Sequence, residues 1–195
     1  MKAYKVLDYS HLLGMAGFSD TLLKNHFTLY QGYVNNTNKV METLEKMVQE
    51  GKQGDYEFAE LKRRLGWEWN GMRLHELYFE NLGGDGDPGK APTVVRAIEA
   101  QMGSFEACAR DFQATAGMRG IGWVVTYQDI AQDIIFNQWI NEHDVGHPAG
   151  LNPLLVLDVF EHAFMIDYGL KKADYVAAFF KNVKWEEVEK RYVKK

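Results

Sequence analysis

Four residues of the chain are candidates to hold a metal ion together, namely His26, His75, Asp158 and His162. Asp158 and His162 are four positions apart, and a strand that ends at the aspartate and turns into a helix would bring both side chains to one point. Aspartate and neutral imidazole suit iron, manganese or zinc. The alternative for this pair is structural, with an aspartate that caps a helix and a histidine that packs in its first turn.

Two long helices must position the other two histidines. Residues 19–50 carry apolar side chains that recur on one face, and residues 56–81 show a second helical pattern after a short glycine-containing break. A short connection between long helices favours an antiparallel hairpin, in which His26 and His75 could face each other. A lone histidine on an apolar helix face is more often a core residue. Three imidazoles and one carboxylate would leave one coordination position for solvent or substrate. This set has one imidazole more than the two-histidine, one-carboxylate triad of iron oxygenases.

The remainder of the chain predicts a mixed α/β region. The glycine-rich segment 83–89 is the densest turn signal, so we expect a helical hairpin lobe over residues 1–85 and an α/β lobe over residues 86–195 that completes the metal site. In the second lobe, helical patterns cover residues 92–115 and 160–192. Between these two segments lie three short β-branched or aromatic runs, at 123–127, 134–140 and 154–157. The predicted class is α+β, with a three-stranded antiparallel sheet flanked by helices.

Composition narrows the possible functions. The chain has 195 residues, 46% hydrophobic and 25% charged, which is typical of a globular protein. A net charge of −5 argues against a generic nucleic-acid or anionic-membrane surface. The single cysteine, Cys108, excludes an intramolecular disulfide and a cysteine-rich zinc site. No apolar run predicts a signal peptide or a membrane span, so the expected compartment is the cytoplasm.

Several motifs resemble those of one known family. The segment Leu157-Asp-Val-Phe-Glu-His-Ala-Phe is similar to the D-x-W-E-H-A-Y signature of iron/manganese superoxide dismutases. The resemblance extends over nearly the whole chain, through His26 with Tyr33-Val-Asn-Asn, Asn70-Gly-Met-Arg-Leu-His75, Gly120-Ile-Gly-Trp123 and Val183-Lys-Trp185. It implies an enzyme that converts superoxide to dioxygen and hydrogen peroxide at one iron or manganese ion per subunit. The four candidate residues fall on the family's ligand positions.

The resemblance also implies roles around the metal. Tyr33 falls on the tyrosine that gates the substrate channel, and Glu161 falls on the glutamate that reaches the partner's last metal histidine in a dimer, which predicts a homodimer or a tetramer. The family places a hydrogen-bonding side chain near solvent at the metal, from the second helix or from the second lobe. The helix position here, Gly71, offers no side chain, and in the second lobe His143 is preferred over His147 because it resembles the histidine variant found in part of the family. Aromatic residues would exclude water from the site, and the main ones are Trp123, Phe160 and Phe79.

Some positions depart from the family pattern. His26 and Tyr33 are seven residues apart where the family usually has eight, and one missing residue rotates a regular helix by about 100°. Deleting a bulge residue could restore the register. Met165 replaces a tyrosine, and Lys172 stands where an arginine often lines the substrate funnel. Val156 differs from the glycine common in manganese members and, together with His143, favours iron.

Two other interpretations stay open from the sequence. The first is a non-catalytic homologue that binds metal for stability or storage, motivated by the altered helix spacing and by Phe160, Phe79 and Val125, which replace tryptophans of the family's aromatic wall. The second is an oxygenase built on two of the histidines and Asp158, which would need an organic substrate pocket and a second open coordination position. Four protein ligands argue against the second interpretation.

Overall fold

The computed structural model describes residues 2–194, and the chain begins with a long helical hairpin. Helix α1 spans Asp20–Gln49 and helix α2 spans Tyr56–Glu80. The Ser19 hydroxyl accepts a hydrogen bond of 3.1 Å from the Leu22 amide, which satisfies a free donor at the start of α1. Helix α1 is regular along its whole length, in agreement with the suggestion that a bulge residue of the family's helix is deleted here. The predicted hairpin is thus present, with its helices within a residue of the expected bounds.

The second part of the chain contains the sheet and five shorter helices. Helices α3, Pro92–Met102, and α4, Phe105–Ala116, precede the sheet. Its strands are β1, Gly122–Asp129, β2, Ile134–Asn141, and β3, Asn152–Asp158. After the sheet, a 3-10 turn at Glu161–Ala163 leads to α5, Met165–Tyr168, α6, Lys172–Lys181, and α7, Trp185–Arg191. The predicted α+β class is confirmed.

The sheet has the order β2-β1-β3 and both pairings are antiparallel. Strand β1 is central and almost fully buried, which agrees with its run of β-branched and aromatic residues. In the register of β1 and β3, Trp123 lies opposite Asp158. The sheet therefore places the aspartate at a strand end, directly beside a buried indole.

Both helical segments expected in the second lobe contain breaks, since residues 160–192 form a 3-10 turn and the separate helices α5, α6 and α7. The sequence pattern over residues 92–115 predicted continuous helix, whereas Gly103 adopts a φ of 82° and ends α3. The Ser104 hydroxyl then accepts a hydrogen bond of 3.1 Å from the Ala107 amide and begins α4. The prediction was wrong on this point because a glycine-serine pair can end one helix and start the next without interrupting the apolar periodicity.

Polar contacts join the hairpin to the end of the chain. The Arg191 guanidinium donates to the Leu77 carbonyl oxygen at 3.1 Å and to the Leu154 carbonyl oxygen at 3.0 Å. The Asn81 side-chain oxygen accepts from the Val156 amide at 2.9 Å, and the Asn81 carbonyl oxygen accepts from the Lys184 amide at 2.7 Å. The end of α2 is therefore bonded to both β3 and the approach to α7, while the lobe boundary near residue 85 stays a prediction.

Among the described residues, no helix combines the length and the apolar character that crossing a membrane requires.

Candidate metal centre

The four candidate residues meet at one buried point. One ligand atom from each of His26, His75, Asp158 and His162 lies within 4.8 Å of the other three. The Nε2 atoms of His26 and His162 are each 3.1 Å from Oδ2 of Asp158, and Nε2 of His75 is 3.6 Å from the same oxygen. Helices α1 and α2 contribute one histidine each, and β3 with the following 3-10 turn contributes the remaining pair.

Hydrogen bonds at the far side of the ligands orient them. Nδ1 of His75 is 2.6 Å from the Gly71 carbonyl oxygen, which can only accept, so Nδ1 carries the proton. Its Nε2 atom is then a lone-pair donor, and this atom is buried without a hydrogen-bond partner. Asp158 uses Oδ1 to accept from the Phe160 amide at 2.8 Å, which leaves Oδ2 directed at the imidazoles. An orphaned buried lone pair beside a carboxylate fits a metal ion far better than an apolar core does.

The electrostatics favour the protonation states that metal binding requires. Burial lowers the pKa of both His26 and His75, so these rings stay neutral. Burial alone would raise the pKa of the Asp158 carboxyl, but His162 and His26 beside it hold that pKa well below its usual range. Burial likewise opposes the charged form of His162, yet the adjacent carboxylate raises its pKa. The site therefore supplies an ionised carboxylate and at least two neutral imidazoles, which are the forms that bind metals.

The regular helix α1 reconciles the unusual spacing of His26 and Tyr33. Seven residues in an α-helix advance by nearly two full turns, so both side chains lie on the same face. The Tyr33 ring stacks on the His75 ring with centroids 5.1 Å apart. The shorter spacing therefore does not rotate Tyr33 away from the site, because in a helix without a bulge a separation of seven residues keeps both side chains on one face.

Tyr33 also joins His143, which the sequence placed near the metal. The Tyr33 hydroxyl oxygen lies 2.8 Å from Nε2 of His143, and the Trp123 indole donates to Nδ1 of His143 at 3.0 Å. Because an indole N–H can only donate, Nδ1 is the acceptor and neutral His143 carries its proton on Nε2. His143 therefore donates to the Tyr33 oxygen, and the Tyr33 O–H proton is left free to donate elsewhere in the site.

His147, the alternative to His143, is engaged elsewhere. Its Nε2 atom is 2.8 Å from the His143 carbonyl oxygen, and its Nδ1 atom is 2.8 Å from the Tyr127 hydroxyl. Both ring nitrogens thus have protein partners. The structure brings His143, and not His147, into contact with Tyr33, while the catalytic role of His143 stays a prediction.

The three predicted sheath residues surround the ligands. The ring centroids of Phe79 and His26 are 4.9 Å apart, as are those of Trp123 and His75. The Phe160 ring stacks on His143 at 4.8 Å and on His162 at 5.2 Å. Aromatic contacts of this kind keep water from the ligand atoms and lower the local dielectric.

Glu161 and Lys172 lie at the periphery. Glu161 is exposed, next in sequence to His162, whose side chain keeps 24% of its surface accessible. Lys172 donates from Nζ to the Met118 carbonyl oxygen at 2.7 Å and lies over the Trp139 ring. The proposed bridging role of Glu161 and the funnel role of Lys172 both stay predictions.

Sequence reasoning missed a cation near Tyr33. The Arg64 guanidinium lies 3.9 Å from the centroid of the Trp67 ring, and that ring contacts both Tyr33 and His143, with centroids 5.5 and 4.6 Å away. Glu68 holds the guanidinium at 2.7 Å, although its own side chain is only 3% exposed. The spacing of Arg64 and Glu68 by four residues was the available signal, because such pairs meet on a helix face.

Gly71 also has a role that the sequence did not indicate. A Cβ atom at this position would lie 2.6 Å from Cδ1 of Tyr33 and 2.8 Å from its Cε1. Such contacts are far shorter than van der Waals distances. The glycine therefore makes room for the Tyr33 ring, besides supplying the carbonyl oxygen that orients His75.

Comparison with known proteins agrees with this fold and this quartet. Residues 90–191 match the family described as iron/manganese superoxide dismutases, C-terminal domain. The superoxide dismutase [Fe] of Aquifex aeolicus is 34% identical over 100% of this chain and 94% of its own length. That of Saccharolobus solfataricus is 37% identical over 85% of this chain and 80% of its own. The superoxide dismutase [Mn] 2 of Haloferax volcanii is 35% identical over 86% and 83%, respectively.

The fold and the buried three-histidine, one-aspartate cluster define a metal-dependent oxidoreductase. The chain belongs to the iron/manganese superoxide dismutase family.

Proposed function

We propose that this protein disproportionates superoxide, so that two superoxide anions and two protons give one dioxygen and one hydrogen peroxide. The observation that carries the proposal is the convergence of three imidazoles on one buried carboxylate oxygen, with Tyr33 and His143 beside them. A bound iron or manganese ion supplies the one-electron chemistry. His26, His75, Asp158 and His162 would hold that ion.

The other residues of the site would handle the protons. Each turnover consumes two protons, and the Tyr33 O–H is the donor that the hydrogen-bond directions leave unused. Burial raises the pKa of Tyr33 far above neutrality, so its hydroxyl keeps its proton until the reaction draws on it. His143 would orient that hydroxyl by donating to its oxygen from Nε2.

We further propose one ion per subunit, with a preference for iron. Relatives named for iron and for manganese are both similar to this chain, so the choice depends on residues around the ligands rather than on the ligands themselves. Val156, two residues before Asp158, and His143 support iron through the resemblance noted above.

The test is superoxide dismutation by the protein loaded separately with iron and with manganese, with bound metal quantified in the same samples. We expect activity proportional to bound metal and higher with iron. Equal activity per ion would overturn the preference but keep the function. Full occupancy without activity for either metal would overturn the function and identify a non-catalytic metal-binding homologue.

We propose that the subunits associate as a homodimer, or as a tetramer built from such dimers, through Glu161 and His162. The exposed Glu161 is followed by three exposed apolar side chains, Met165, Ile166 and Leu170, with 41%, 51% and 93% of their surfaces accessible. Exposed apolar side chains a few residues from an exposed carboxylate suit an interface between copies. A partner's carboxylate on the free Nδ1 of His162 would also fix the tautomer of that ligand.

Sedimentation of Glu161→Ala tests this assembly. We expect the variant to dissociate at concentrations at which the unmodified protein and an exposed control, Glu106→Ala, stay associated. An unchanged profile would remove Glu161 from the interface. A cytoplasmic location completes the proposal, because the single Cys108 is consistent with a reducing compartment, and cell fractionation would test it.

A further inference from the structure

The loop that carries His143 is closed on itself. Asn141 and Val145 form a bridge, with the Asn141 amide donating to the Val145 carbonyl oxygen at 2.8 Å. Glu142 adopts a φ of 51° within this loop, and its carboxylate accepts from the Trp67 indole at 3.0 Å. His143, fully buried, therefore lies between two exposed neighbours on a short loop rather than on a helix or a strand.

A short backbone loop needs additional support to hold a side chain within a few tenths of an ångström. His147 contacts the loop from the chain that follows it, with Nε2 lying 2.8 Å from the His143 carbonyl oxygen. A carbonyl oxygen only accepts, so His147 carries a proton on Nε2 and donates it. In the tautomer with that proton, Nδ1 accepts a hydrogen bond from the Tyr127 hydroxyl, 2.8 Å away.

Tyr127 fixes this arrangement to the central strand. It lies on β1 and is 4% exposed, next to the bulge in the pairing of β1 with β3. Burial raises the pKa of Tyr127 to about 12, so its hydroxyl remains a donor at physiological pH. The His143 carbonyl oxygen, which only accepts, and the Trp123 indole, which only donates, thus set the directions of the hydrogen bonds between Tyr127 and Tyr33.

We propose that His147 is a positioning residue for the dismutation, and that with Tyr127 it holds the His143 backbone where the imidazole meets Tyr33. This inference rests on the proposed function and adds to it a residue that touches neither the metal ligands nor Tyr33. Loss of the His147 donor releases the loop, and the His143–Tyr33 contact is then made only part of the time.

The test compares His147→Phe, which keeps a ring but has no donor, with His147→Gln, whose amide N–H reaches for the same carbonyl oxygen. All proteins are loaded with iron and compared at equal metal content. We expect His147→Phe to lower turnover about fivefold, which corresponds to about 1 kcal/mol, and to alter the pH profile of turnover. His147→Gln should recover activity to within about twofold of the unmodified protein. Azide titration followed by visible absorption gives a second readout that does not depend on turnover, and we expect altered azide affinity in His147→Phe alone.

A merely structural role would give a different pattern. If His147→Phe lowered activity only in proportion to lost metal or lost folded protein, with an unchanged pH profile and azide affinity, the proposal would be overturned. If His147→Phe does not fold, the pair His147→Gln and His147→Glu replaces it, since the two side chains have nearly the same shape and only the glutamine has a donor. Equal turnover in that pair would also refute the proposal. An inactive unmodified protein would refute the proposed function instead.

Discussion

Replacing Gly71 with alanine tests the packing of Tyr33 separately from the stability of helix α2, which contains Gly71. The new Cβ would lie 2.6 Å from Cδ1 of Tyr33, and ordinary contact begins near 3.4 Å, so the ring must move by about 0.8 Å. The Tyr33 ring cannot move towards His75, because it already stacks on the His75 ring. A displacement of this size at the hydroxyl would extend its 2.8 Å contact with His143 to about 3.6 Å, beyond hydrogen-bonding range.

Two opposing terms set the effect of Gly71→Ala on stability. Alanine favours a helix interior over glycine by about 1 kcal/mol, whereas overpacking a core costs about 1–3 kcal/mol. The net change is then between about zero and a loss of 2 kcal/mol in the free energy of unfolding. Gly66 lies in the same helix, and a Cβ atom added there would have nothing within 4 Å, so Gly66→Ala should gain about 1 kcal/mol. Urea unfolding of both variants at matched metal content gives the comparison.

Turnover supplies the decisive measurement. A misplacement of about 0.8 Å should lower activity roughly tenfold to a hundredfold in Gly71→Ala, with the metal retained. In a Tyr33→Phe background the same substitution should lower turnover no further, because the hydroxyl that it displaces is already gone. The reasoning is refuted if Gly71→Ala keeps full turnover and gains stability as Gly66→Ala does.

Three further predictions concern charge and metal. Arg64→Gln should lower kcat/KM about twofold to threefold at low ionic strength and reduce its salt dependence, while the exposed neighbour variant Arg63→Gln should leave both unchanged; equal behaviour of the two would exclude steering by Arg64. Burial lowers the pKa of His143 to about 4, so the unfolded chain binds more protons between that pH and about 6.5. The free energy of unfolding should therefore fall as pH drops through this range, less steeply in metal-free His143→Gln than in the metal-free parent; identical slopes would contradict this. The metal content of His75→Ala should be lower than that of the exposed control His11→Ala by about tenfold or more. Equal metal content in the two variants would remove His75 from the site.

The helical hairpin followed from local pattern, whereas the four metal-site candidates were suggested by local pattern and assigned as ligands through the family resemblance. The apolar face of α1 and the Ser19 cap are local features, and the motif around Asp158 and His162 encodes a strand end and a turn in consecutive residues. The division of 92–115 at Gly103 was missed, since a glycine-serine pair is compatible with either a continuous or a divided helix until its backbone angles are known.

Other features depend on contacts between distant segments. The room that Gly71 makes for Tyr33 joins two helices, and periodicity along one helix does not describe the gap between them. The engagement of His147 with Tyr127 joins a loop to β1 across twenty residues. Sequence reasoning selected His143 for the site, but it had no means to find what holds that histidine in place.

The bonds of Arg191 have a consequence for the order in which the protein matures. This residue follows both long helices and the whole sheet in the sequence, yet its guanidinium bonds to the Leu77 carbonyl at the end of α2 and to the Leu154 carbonyl on β3. Chains are synthesised from the amino terminus. Both long helices and all three strands are therefore made before Arg191, which adds its bonds to those that Asn81 makes between the end of α2 and β3. The Arg191 clamp between α2 and β3 accordingly forms only after α7 has been translated.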